Sequence, residues 1–137
     1  TFKFIVNGNQ MFNPAMNFES FGLYPEEQRD LLDFLTNSKV PGVVVLTGDR
    51  HASELLKIER EGNYPLYEYT SSPLTSGAGR YEPEAANQVP GTWVTGTRNY
   101  GKIQVSGKKG ERTLTLTAHD KTGKELWRHE LREKDLR

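Results

Sequence analysis

The amino-acid sequence predicts an α/β fold, a mixed sheet with one flanking helix that ends in an antiparallel β-meander. Three observations predict it. Residues 25–38 place apolar side chains at helical spacing. Val43-Val44-Val45-Leu46 follows directly as a continuous apolar run, and the last third of the chain alternates apolar and polar residues between glycine-marked turns. A helix leading straight into a strand that is apolar on both faces is an α/β pattern.

The elements follow in order. Phe2, Phe4 and Val6 alternate with Lys3 and Ile5 and predict a short strand, broken by Asn7-Gly8-Asn9-Gln10. The stretch to Tyr24 has no clear period but holds Phe12, Phe18 and Phe21, too aromatic for a disordered segment, so an ordered loop is expected. Pro25 suits the first helical position, and Glu26 and Glu27 suit the positive end of the helix dipole. Gln28, Leu31, Leu32 and Leu35 form the stripe with Phe34 at its edge, and Lys39 and Pro41 mark the stop. Residues 54–61 alternate, Gly62-Asn63 turns, and residues 66–70 return, which predicts a hairpin. Residues 71–91 are rich in Ser, Gly and Pro and read mainly as a long loop.

Beyond it come a short strand over 92–96, a strand over 100–105 with Ile103 and Val105 on one face, and a cleanly alternating strand over 113–118. Asp120-Lys121-Thr122-Gly123 is a turn signal, and residues 125–131 predict the last strand with Trp127, His129 and Leu131 on one side. Arg132 to Arg137 is charged and is expected to fray. His119, where a strand enters a turn, is expected to be exposed, and His129 half-buried. Arg98 and Asn99, polar groups at a sheet end, are expected to hydrogen-bond within a turn.

Composition bounds the function. The 137 residues suffice for one domain with a single core. With 34% hydrophobic and 26% charged residues the chain is polar, which fits wide loops or a piece of something larger whose core partners lie elsewhere. Lys plus Arg and Asp plus Glu are both 18, and no basic stripe stands out, so no nucleic-acid partner is expected. No cysteine is present, which removes disulfides, thiolate metal sites and a cysteine nucleophile. No run approaches the roughly 20 apolar residues of a membrane span. Thr1 to Val6 already looks like a strand, so the chain is expected to begin inside a fold.

Thr47-Gly48-Asp49-Arg50-His51 is the sharpest local feature, at the C-terminal end of the buried strand where open α/β sheets bind ligands. Two residues apart on a turning chain, Asp49 and His51 can point into one site. Aspartate offers a hard oxygen able to bridge two cations and neutral histidine a nitrogen, a set suited to Fe, Mn or Zn. On spacing alone such a pair is more often structural or surface-capping. A nucleophilic triad from Ser53, His51 and Asp49 is disfavoured, because groups so close in sequence rarely form the required line. Ser76-Gly77-Ala78-Gly79-Arg80 lacks the Lys-Ser/Thr of a phosphate loop and reads as a flexible loop.

Taken in order, these segments resemble the C-terminal part of the alkaline phosphatase D, or PhoD-like, metallophosphoesterases. The segments are Phe4–Met11, Tyr24–Arg29, Val43–Ser53, Ser71–Gly77 and Asn99–Ile103. The resemblance implies the C-terminal portion of a calcineurin-like metallophosphoesterase sandwich over residues 1–137, with the N-terminal half absent. It implies metal-assisted hydrolysis of phosphate mono- or diesters, with iron and calcium as the ions and Asp49 and His51 as metal ligands. Further ligands would lie upstream, so the 137-residue chain is expected to be inactive alone. Relatives often read Trp-Asp-Gly-Tyr-Pro before the helix where this chain has Phe21-Gly22-Leu23-Tyr24-Pro25, so no role is carried onto that segment. A phosphate ester substrate, the missing half as partner, with aromatics such as Phe12 and Tyr24 packing against it, and a periplasmic or extracellular location are likewise implied. A different class, a non-catalytic β-rich interaction or carbohydrate-binding module, would use the aromatics, the 71–91 loop and the final meander.

Overall fold

The structure is a computed structural model that describes residues 1–15 and 19–137. Phe18, one of the aromatics of the expected ordered loop, lies outside the described residues.

The apolar run becomes β2 (Val43–Thr47), an inner strand of a four-stranded sheet. It lies parallel to β1 (Lys3–Val6) on one side and to β4 (Leu66–Thr70) on the other, and β3 (Glu54–Ile58) closes the far edge antiparallel to β4. The order is β1-β2-β4-β3, so the predicted hairpin forms and the sheet is mixed. Val44 and Val45 are both fully buried, as a strand covered on both faces requires.

Helix α1 (Pro25–Asn37) covers one face of this sheet. Pro25 and the two glutamates occupy its first turn as expected. Leu35 is buried, Leu31 and Leu32 pack against Met11, Phe12, Val43, Val45 and Leu66, and Phe34 is left outside at 62% exposure.

The other face carries a three-stranded antiparallel sheet, β5 (Asn99–Ser106), β6 (Thr113–Asp120) and β7 (Glu125–Arg132). Leu114, Leu116 and Ala118 of β6 and Trp127 and Leu131 of β7 meet Val44, Leu55 and Tyr69 in the core between the sheets. Gly101 is the point of closest approach: a Cβ there would lie 2.6 Å from the Tyr69 hydroxyl, which itself donates to the Thr117 carbonyl at 2.9 Å. The turn between β6 and β7 is tied by Asp120, whose Oδ1 accepts from the Thr122 and Lys124 amides.

Two edges of the inter-sheet core stay open. Register places Phe4 and Val6 of β1 beside Val44 and Leu46, and Ile103 and Val105 of β5 opposite Leu116 and Leu114. All four therefore face between the sheets, yet they are 40, 75, 38 and 48% exposed. They sit on edge strands that the opposite sheet does not cover.

Four sequence expectations are corrected here. Residues 92–96 form no strand; Val94 makes a single bridge to Ser53 and Gln88 another to Leu56, so this part of the loop caps the β3 edge irregularly. The tail does not fray: Glu133–Asp135 is a helical turn, Leu136 is 1% exposed in the inter-sheet core, and its carbonyl accepts from the Gly42 amide. Glu133 anchors it, accepting from the Gly110 and Arg112 amides, and its carboxyl is drawn down to about 2, chiefly by hydrogen bonding to the Thr1 ammonium. Phe12, expected to await a missing partner, is buried under α1. His119 is half-buried and stacked on Tyr100 at 5.3 Å rather than exposed. His129 is half-buried as expected, 5.6 Å from Tyr67, and burial lowers its pKa.

Candidate functional site

At the C-terminal ends of β2 and β4 the helix-side face of the sheet turns from apolar to polar. Val43 and Val45 give way to Thr47, Leu66 to Glu68 and Thr70, and the antiparallel β3 begins here with Glu54. These polar groups are buried and mutually satisfied. Glu68 is fully buried and accepts from the Met11 and Phe12 amides, both at 2.7 Å, and from the Thr47 hydroxyl at 3.1 Å. Gln10 donates to Glu54 at 2.7 Å and to the Thr70 hydroxyl at 2.8 Å, and Gln88 donates to Glu54 at 3.0 Å. Burial pushes the Glu68 carboxyl up to about 7 against the lowering effect of its three donors, and burial raises Glu54 as well. The network clamps loop 7–13 onto the strand ends, and the Gly48 amide donates to the Gly8 carboxyl-side backbone oxygen at 3.0 Å.

On this platform the chain makes a strained turn. Asp49 and His51 both have left-handed backbones, φ 54° and 57°. Non-glycine residues adopt this conformation sparingly, and such residues gather at functional sites. Both side chains are exposed and line one cleft of about 750 Å³, together with Arg50, Glu19 and the Gly79, Tyr81 and Glu84 wall. The structure thus brings the two candidate ligands to one opening. It does not assemble a full cation set around them: among the described residues no three His, Asp or Glu side chains form a group able to hold a metal ion.

A second set of contacts holds the turn from behind. The His51 amide donates to the Ser72 hydroxyl at 2.9 Å, and the Ser72 amide donates to Ser53 Oγ at 3.2 Å. Ser53 Oγ donates to Asn99 Oδ1, and Asn99 Nδ2 donates to the Ser72 carbonyl at 2.8 Å. Ser53 is fully buried in these bonds, so it is no nucleophile. Asn99 makes the local bond expected of it, Nδ2 donating to the Thr97 carbonyl at 3.2 Å, and through Ser53 and Ser72 also reaches well beyond its own turn. Removing it strands Ser53 Oγ and the Ser72 carbonyl in the interior. Asn99→Ala is expected to cost about 2–3 kcal/mol in urea unfolding, while Arg98→Ala, at an exposed position, stays within about 0.5 kcal/mol.

Arg50, Tyr81, Glu84 and Glu19 were not singled out as site residues from the sequence. No spacing rule links them, because they meet only where the 71–91 segment and the Glu19 loop fold to the turn. Glu68 did carry a signal: an acid on the same strand face as Leu66. Of the exposed aromatics, Phe4 lies on β1, Tyr24 caps the N-terminus of α1, Phe34 lies within α1 and Tyr100 lies on β5.

A family model described as PhoD-like phosphatase matches residues 4–124, from within β1 to the turn before β7. No curated protein and no solved structure matches the chain. Among the described residues no helix is long and apolar enough to cross a membrane.

Proposed function

This chain belongs to the PhoD-like phosphatase family, and from that premise we propose that Asp49 and His51 are cation ligands of a phosphoesterase centre that cleaves phosphate mono- or diesters. The observation that carries the reading is the pair of left-handed residues, Asp49 and His51, opening into one cleft at the strand ends. A carboxylate oxygen and an imidazole nitrogen are donors of the right chemistry for iron, and the carboxylate also for calcium, the ions the family resemblance implies.

Two donors are too few to hold a catalytic cation, which takes at least three protein ligands in zinc enzymes. The pair fits as part of a shell whose other members stand outside the described residues. A cation bound there would draw charge from the phosphoryl oxygens and lower the pKa of the attacking oxygen. The chain's own contribution is to present the two donors on a rigid turn and to wall the ester with the 79–84 segment.

The remaining ligands, in this reading, come from an N-terminal half of the same metallophosphoesterase sandwich. The exposed inter-sheet residues Phe4, Val6, Ile103 and Val105 are the surface it would cover. The reading carries with it the periplasmic or extracellular location of the family.

Turnover of a p-nitrophenyl phosphodiester tests it. The 137-residue chain alone is expected to show none with iron, calcium or manganese. In the longer enzyme, Asp49→Ala and His51→Ala are each expected to lower turnover by more than about 100-fold, beyond what loss of an outer-shell partner does. Unchanged turnover in either variant would falsify the ligand assignment.

A further inference from the structure

Between the two exposed donors stands a side chain that is itself covered, against the wall of the same cleft. The Arg50 side chain is 9% exposed. Its guanidinium pairs with Glu84 and lies over the Tyr81 ring, 5.5 Å from the centroid, and the Tyr81 hydroxyl donates back to the Arg50 carbonyl. Among the described residues its buried Nε and Nη2 make no hydrogen bond, so the charge is held by the ion pair with Glu84 and by the aromatic face.

Tyr81 is fixed in its turn. Trp93 meets it edge-on at 5.7 Å and donates from Nε1 to its carbonyl at 3.2 Å. Gly79 passes so close that a Cβ there would lie 2.6 Å from the ring. The flanks of the strained turn are tied by the Gly48 and His51 amides, to Gly8 and Ser72. Its middle is tied by Arg50.

We propose that Arg50 is a positioning residue: covered by Glu84 and Tyr81, it latches the turn to the 79–84 wall and thereby keeps Asp49 and His51 left-handed and open to the cleft. The conformation asserted is a property of the chain itself. Only its consequence for cations rests on the ligand reading above. A left-handed pair of non-glycine residues persists where surrounding contacts impose it, and releasing one contact lets the backbone relax to commoner states. Apparent cation affinity then falls by the fraction of chains that keep the competent turn.

The test uses the 137-residue chain in solution by NMR, with Arg50→Met, Arg50→Lys and Glu84→Gln. Left-handed residues give strong intraresidue Hα–HN cross-peaks, which report Asp49 and His51 directly, and the Trp93 indole N–H reports the wall. Leu116 methyl signals serve as the control for the distant core. In Arg50→Met both signatures are expected to weaken and the Trp93 signal to move, with Leu116 unchanged. The Mn²⁺ concentration that half-broadens His51 is expected to rise at least about five-fold. Arg50→Lys recovers part of the effect, since it keeps the charge and loses the flat stack.

Glu84→Gln, altered at a part-exposed position, carries the test if Arg50→Met does not fold, with weaker changes in the same direction. Unaltered Asp49 and His51 signatures in these variants, with or without a loss of stability, overturn the proposal. Loss of the signatures in the variants, with no Mn²⁺ response in the parent chain, supports the latch and removes the cation reading instead.

Discussion

Glu68→Ala is expected to destabilise the chain by about 3–5 kcal/mol, measured as a shift of the urea midpoint at neutral pH. Each buried donor left unpaired costs about 1–3 kcal/mol, and two amides, Met11 and Phe12, lose their acceptor together with the Thr47 hydroxyl. The carboxylate has no neutral substitute of the same reach. In Glu68→Gln one oxygen becomes a donor, so one of the two amides faces an N–H instead of an acceptor. That variant is expected to lose about 1–3 kcal/mol.

The same residue sets a pH dependence with a definite sign. Its carboxyl titrates at about 7 in the folded chain against 4.5 ordinarily, because burial outweighs its hydrogen bonds. A group with a raised folded pKa binds more protons folded than unfolded between those values, so stability falls as pH rises across the window. The contribution is full below about pH 4.5 and is lost as pH rises through about 7. Unfolding at about pH 5 and about pH 8 is expected to show the drop in the parent chain and a smaller one in Glu68→Gln. Glu54, also raised by burial, supplies a slope of the same sign that remains in the variant. A drop of equal size in both chains would remove Glu68 as its source.

Trp127→Ala is expected to cost a similar amount, about 3–5 kcal/mol, for an apolar reason. The indole is 7% exposed in the core between the sheets, and meets Tyr69 edge-on at 5.1 Å. Its removal opens a void between β7 and β4 and frees Tyr69, whose hydroxyl bonds β6. Among the described residues the indole N–H has no partner, so Trp127→Phe keeps an aromatic ring while deleting a buried unpaired donor. That change is expected to stay below about 1.5 kcal/mol. Leu126, one residue earlier and 36% exposed, is expected to tolerate alanine within about 0.5 kcal/mol. Equal losses at 126 and 127 would contradict the assignment of their faces.

Much of this architecture can be read from local pattern. The 25–38 stripe, the Val43–Leu46 run and the alternation of residues 113–118 and 125–131 each combine a period with burial, and each forms the expected element. The position of Asp49 and His51 in a cleft follows from their place after a buried parallel strand. The quoted family segments around Val43–Ser53, Ser71–Gly77 and Asn99–Ile103 prove to be neighbours in space: Ser53, Ser72 and Asn99 bond one another behind His51.

The misreadings have a common origin. Residues 92–96 carry the β-branched and aromatic residue types of a strand, but Ser53, just before β3, offers them a single bridge at Val94, and Thr92 spends its hydroxyl on Leu55 and Val89. The charged tail has the composition of a solvated one, yet Leu136 finds the inter-sheet core and Glu133 finds the Gly110 and Arg112 amide donors. Phe12 and His119 were judged without the surfaces that cover them, α1 in one case and the Tyr100 ring in the other. In each case the deciding partner is distant in sequence.

By itself, then, the sequence determined the helix, the buried strand, the meander and the two residues that open into the cleft, because period and local chain direction are encoded within a few residues. Tertiary structure decided that Asp49 and His51 are left-handed, that Arg50 turns inward between them, and that Glu68 is buried beneath the site. Those outcomes depend on loop 7–13, the 79–84 segment and Asn99 arriving from elsewhere in the chain. Their physical basis is the satisfaction of buried polar groups, which requires partners that no local pattern specifies.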